Sequence, residues 1–227
     1  MEDNKPKTEI TELKTKKESL TKEYRNLIQY VGDWNGDVSK IKVLGNIHKN
    51  ILGTDKLGRL RPYSDLAFFM LLAKQYNLNP LKNEIYATYQ KTGDLEKLIP
   101  IVSIHGLRAL ARRSKNPTYA YTGKAMIDYK DDKIDSATVE VFGYFGNPQS
   151  GIVKIGEYTA YFEEFAKYKK DGTLNKMWTL MPKVMLIKCA ESNALRMAFN
   201  ISGIYIEEEI NNGDSSIIED ETVAEQY

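Results

Sequence analysis

Cysteine and histidine are nearly missing from this chain. Cys189 is the only cysteine, so no internal disulfide can form, and the two histidines, His48 and His105, lie far apart. A His/Cys metal site is therefore not expected. Long apolar runs are missing too: Leu66 to Ala73, among the longest, falls far short of the roughly 20 residues that a membrane span needs. The opening MEDNKPKTE mixes acids with bases and has no apolar stretch, unlike a secretory signal. There is no GxxxxGK[ST] loop, no GxGxxG after a strand, no HExxH and no GxSxG, which argues against a P-loop ATPase and several common enzyme classes. Glu163-Glu164 and Asp131-Asp132 are adjacent carboxylates on stretches that read as solvated helix surface and turn. Neighbouring helical positions diverge by about 100°, a poor geometry for sharing a metal or a proton. Cys189 falls mid-helix without an obvious base and reads as a small hydrophobe. The expectation is a soluble, intracellular, metal-free and cofactor-free protein that is not an enzyme.

Net charge is only +1, but its distribution is uneven. Residues 1–40 carry eight Lys/Arg and eight Asp/Glu, while residues 206–227 carry eight acids and no base. The intervening 41–205 holds 24 basic against 15 acidic residues. A basic body with an acidic tail is a pattern of polyanion binders, in which the tail competes with nucleic acid or docks a partner. Charge alone is equally compatible with lysines that merely solvate the surface.

Hydrophobic periodicity divides the chain into helical and extended stretches. Residues 7–31 and Val38 to Leu52 read as helices, the second interrupted by Gly45, and a third, capped by Ser64, runs to about Tyr76. Glu84 to Lys91 and Lys97 to Ile104 flank TGDLE as a β-hairpin, with Pro100 at an edge or bulge. His105 to Ser114 is a short basic helix. Tyr119–Tyr129, Ser136–Phe145 and Ile152–Tyr161 form an antiparallel meander, followed by a helix over YFEEFAKYKK and a loop at DGTLNK. A long helix then begins at Met181 or Pro182 and ends near Phe199. The fold class expected is α+β: a small antiparallel sheet with a β-hairpin, packed by helices that include one long C-terminal core helix. The domains expected are a helical region over 1–60 suited to subunit contacts, a core over 61–206, and a disordered acidic tail over 207–227.

In the long helix, Val184, Ile187, Ala190, Ala194, Leu195, Met197 and Ala198 share one broad sector at 100° per residue. Opposite them Lys188, Ser192 and Arg196 form a polar row about 12 Å long, with Lys183 beside it in the first turn. Glu191 falls within the apolar sector and reads as a satisfied carboxylate paired with Lys188. Periodicity alone favours an amphipathic core helix over a DNA-contacting one.

PKVMLIKCAESNALRMAFNISGIY, preceded by Trp178, resembles the signature of the RecT/Redβ family of phage single-strand annealing proteins. Two upstream blocks appear in the family's order. Ala73 to Lys91 is similar to its Asn-Pro…Glu-Ile-Tyr-Ala block, and Ile99 to Arg113 to its Pro-(I/V)-V…Gly helix entry. The resemblance implies ATP-independent binding of single-stranded DNA and annealing of complementary strands in recombination. It also implies a ring or helical filament of self-associated subunits, an annealed duplex as product, a phage exonuclease and a host single-strand binding protein as partners, and the bacterial cytoplasm as location. The alternative is a nucleic-acid-binding scaffold that does not anneal. Annealing needs neutralised phosphates and uncovered bases, without sequence readout. Lys183 and Arg196 are the leading phosphate contacts, with Lys188, Lys91, Arg108, Arg112 and Arg113 behind them. Arg112 and Arg113 serve a helix C-terminus equally well. Trp178, flanked by Lys176 and Lys183, either stacks on a base or anchors the helix start. Tyr119, Tyr121, Tyr129 and Tyr144 are expected in cross-strand packing, and Asn79-Pro80 in a turn.

Overall fold

The structure is a computed structural model that describes residues 25, 27–31, 40–92, 95–206 and 210. The exposed helix expected over 7–31 and the break at 32–36 lie largely outside the described residues. The chain divides into two compact units, Met1–Lys82 and Asn83–Tyr227.

In the first unit, α1 (Lys40–Asn46) continues without a break at Gly45 into a π-helical stretch, Ile47–Leu52. Pro62, not Ser64, precedes helix α2 (Tyr63–Gln75), whose Leu66, Phe69, Met70 and Ala73 are buried. His48 is buried, and its Nε2 lies 2.7 Å from the Arg61 carbonyl. Asn79 Oδ1 accepts from the Leu81 amide at 2.8 Å, and Pro80 opens a 3-10 turn, so Asn79-Pro80 does fix a turn.

The second unit holds two sheets. Strands β1 (Ile85–Thr92) and β2 (Leu95–Val102) pair antiparallel in register Ile85↔Val102, the expected hairpin. A two-residue strand, β7 (Tyr205–Ile206), runs parallel to β2 and pairs with Ile101 and Val102. Pro100 thus lies just past the reach of β7, where its missing N–H costs no ladder bond on that side. Beyond β7, buried Ile210 packs with Ile99, Ile101 and Tyr86, and Lys167 Nζ donates to its carbonyl at 2.8 Å.

The larger sheet is built on β5 (Lys133–Tyr144). Strands β3 (Thr118–Thr122) and β4 (Met126–Lys130) line one edge in succession, and β6 (Val153–Tyr161) lines the other. The single strand expected over 119–129 is broken at 123–125, where Gly123 N still donates to the Glu140 carbonyl. Alternation along β5 buries Ala137, Val139 and Val141 on one face, against Ala160 and Gly156 of β6. On the other face Thr138 and Thr159 share a 2.8 Å hydrogen bond. Glu140 and Glu157, directly opposed across the strands, are both bound by Lys154 at 3.0 and 2.6 Å. Lys154 holds the Glu157 carboxyl below the usual carboxylate range and relieves a like-charge pair that would otherwise weaken the sheet.

Helix α3 (Ile104–Arg113), capped by Ser103 Oγ on the Gly106 amide, leads from β2 to β3. After β6 only Phe162–Phe165 (α4) is helical; the expected longer helix gives way to a Tyr168↔Leu174 bridge whose turn is held by Asp171 on Thr173. Helices α5 (Lys176–Leu180) and α6 (Pro182–Phe199) complete the unit, with α6 laid across β5 and β6 and against α3. No described helix is long and apolar enough to cross a membrane.

Two glycines set these contacts. A Cβ on Gly156 would sit 2.7 Å from the Ala198 Cβ, so glycine lets β6 approach α6. A Cβ on Gly106 would run into the Glu84 carbonyl oxygen and lie 2.7 Å from Val102 Cγ1. Gly106→Ala is expected to lower stability by about 2 kcal/mol, because backbone must move to admit the methyl group. A urea midpoint unchanged from the parent would refute this.

Candidate nucleic-acid interface

The central turns of α6 are enclosed on nearly every side. Leu186, Cys189, Ala190, Glu191, Ser192, Ala194, Leu195 and Ala198 are all buried. This helix packs on the sheet and on α3 at once, so it has no single apolar sector. Val184 and Met197, assigned to the packing face by periodicity, are exposed instead. The polar row is corrected as well. Its middle member, Ser192, is only 1% exposed, and Lys188 and Arg196 are half-buried. Arg196 Nε donates to the Ile201 carbonyl at 3.3 Å, closing the helix C-terminus around Asn200. Lys183 and Arg196 are thirteen positions apart, about 20 Å along the axis, and do not share a continuous polar face.

Glu191 has a different partner from the one expected. Arg108 of α3 grips it with both arms of the guanidinium, Nε to Oε1 and Nη2 to Oε2, each at 2.7 Å. The hydrogen-bonded Glu191 carboxylate pushes the Arg108 pKa up, and the two bonds hold the guanidinium in place. Side-chain exposure is 39% for Arg108 and 9% for Glu191, so the pair fastens α3 to α6 at the edge of the core. Arg113 is similarly directed to the buried Glu84 at 3.2 Å. Two of the three arginines predicted on α3 therefore point at carboxylates of their own chain. Arg112, between them in sequence, is exposed. Lys91 is exposed near the tip of the hairpin.

Lys176 and Trp178 lie in α5 and Lys183 in the first turn of α6, either side of the junction. Asn175 caps α5 by accepting from the Trp178 amide at 3.0 Å, and Pro182 opens α6. Trp178 is 1% exposed and meets Phe162 edge-to-face, ring centroids 5.4 Å apart. An indole enclosed in this way has no face to offer a base. Of the two alternatives, its surroundings are those of an anchor. Lys176 and Lys183 remain exposed.

Among the tyrosines, Tyr121 stacks on Phe142 at 4.8 Å and Tyr119 tilts against Phe199 at 6.0 Å, as cross-strand and core packing predicts. Tyr129 differs. It is exposed at the end of β4, and Lys183 Nζ sits 5.5 Å from its ring centroid. Sequence reasoning also passed over the apolar residues beside the two lysines. Met177, Leu180, Met181 and Val184 are all exposed, although LMPKV contained the signal: three apolar residues crowded around one lysine.

No curated protein matches the chain. The model of the RecT family matches residues 47–224, which include α3, the α5–α6 junction and all of α6. That match extends over more than half of the sequence and takes in all three blocks that resembled the family, so the chain belongs to the RecT family.

Proposed function

We propose that this protein binds single-stranded DNA and anneals complementary strands without nucleotide hydrolysis, working as an oligomer. Membership of the RecT family, the observation that carries this reading, implies DNA binding and single-strand annealing in recombination. The finer statements draw support from the site. Residues 172–190 contain Lys176, Lys183 and Lys188 and no acid, and the next acid, Glu191, is held by Arg108. Such a segment attracts phosphates and nothing on it reads base edges, as annealing of any sequence requires. In this reading Lys183 and Lys176 lead the phosphate contacts, with Arg196, Lys188, Arg112 and Lys91 further out. Arg108 and Arg113 act chiefly through Glu191 and Glu84. An exonuclease and a host single-strand binding protein would be its partners, in the bacterial cytoplasm.

Mixing complementary oligonucleotides with the protein in the absence of ATP tests the reading. Annealing is expected to accelerate, while noncomplementary strands are not co-aggregated. Absence of acceleration would overturn it and favour a scaffold that binds without annealing. Lys183→Gln and Arg196→Gln are each expected to weaken binding and lower the salt slope by about one ion. Unchanged slopes in both variants would remove these residues from the interface.

A further inference from the structure

We propose that the α5–α6 junction is a nucleobase-contacting ridge, on which Leu180, Met181 and Val184 meet the bases of a single strand while Lys176 and Lys183 hold its phosphates. The inference rests on the annealing reading and adds which part of the strand this surface takes.

Single exposed apolar side chains are common on protein surfaces, but clusters mark contact sites. Here Leu180 is 66% exposed and Val184 58%, with Met177 and Met181 also exposed, all within eight consecutive residues. The cluster is not a frayed segment. Asn175 caps its start, the Met185 amide donates to the Met181 carbonyl at 3.0 Å, and buried Trp178 and Leu186 anchor the two helices. A fixed apolar ridge in water therefore has an occupant to bury it.

Charge narrows the class of occupant. The ridge is flanked by lysines and lies in an acid-free stretch of nineteen residues, 172–190. Its complement is both apolar and anionic. An unpaired nucleic-acid strand offers both at close range: flat bases with little polar face, and one phosphate per nucleotide. Tyr129 extends the same surface, since its exposed ring lies beside Lys183. A base laid on such a ridge keeps its pairing edge outward, because Leu, Met and Val have nothing to hydrogen-bond with it.

The test compares the full-length chain with Leu180→Ala, Leu180→Ala/Val184→Ala and Lys183→Gln on two ligands, an oligothymidylate and an abasic oligomer of equal length and phosphate count. Both alanines truncate exposed side chains, and unchanged thermal melting would show that the fold survives. The double variant is expected to bind oligothymidylate about tenfold more weakly, with Leu180→Ala intermediate. Neither should differ from the parent on the abasic oligomer by more than about twofold. Lys183→Gln should weaken both ligands alike. Equal losses of the double variant on both ligands overturn the ridge. So does its dissociation to smaller species in sedimentation, which would assign the surface to contact with a second copy. A parent protein that bound neither oligomer would instead remove the annealing reading itself.

Discussion

Trp178→Ala is expected to lower the unfolding free energy by about 4 kcal/mol, the middle of the range for deleting a large buried aromatic. The indole is 1% exposed and its edge-on contact with Phe162 joins α5 to α4. Truncation leaves a cavity at the junction that aims Lys176 and Lys183. Trp178→Phe retains an aromatic ring for Phe162 and is expected to cost about half as much. The functional readout separates anchoring from stacking. In the phenylalanine variant, once folding is confirmed, affinity for single-stranded DNA should stay within about twofold of the parent. A tenfold loss with unaltered stability would restore Trp178 as a base contact.

Arg108→Ala is the second large effect, about 3 kcal/mol. It leaves the Glu191 carboxylate, 9% exposed, without its bidentate partner. The reverse change is milder. Glu191→Gln leaves Arg108 with 39% of its side chain exposed to solvent, so the cation can rehydrate, and about 1–2 kcal/mol is expected. This asymmetry is the signature of a pair buried on one side only. A direct phosphate contact predicts the opposite pattern for Arg108→Ala, with stability intact and the DNA salt slope reduced. Urea unfolding of the single and double variants decides between them, since the two losses should fail to add.

Much of this architecture was legible in the sequence because its elements carry local periodic signals. Alternation in Glu84 to Ile104 and Ser136 to Tyr161 gave the hairpin and the meander. Pro182 and the seventeen residues after it gave α6. What escaped was tertiary. A two-residue parallel strand at Tyr205 has no period to detect, and Arg108 and Glu191 are separated by 83 positions. The polar row failed for the same reason: periodicity cannot tell that α6 packs against α3 as well as against the sheet. The helix expected from Tyr161 covers only Phe162–Phe165, and the Asp171 turn gives later residues a bridge instead. In the candidate interface, Lys183 was expected from the helical pattern and the family resemblance, and it is exposed. The exposed apolar side chains beside it were missed because Leu and Val are assigned inward by default.

The small strand at Tyr205–Ile206 also imposes an order of events on the ribosome. Its partner β2 leaves the exit tunnel roughly a hundred residues earlier, which at 5–20 residues per second is about 5–20 s. Throughout that interval Ile99 and Ile101 lack the cover of Ile210, and one edge of β2 has unpaired backbone groups. The hairpin therefore spends its first seconds with one edge open. Slower translation lengthens that exposure, and a nascent-chain chaperone that occupies the edge protects it until residues 205–210 arrive.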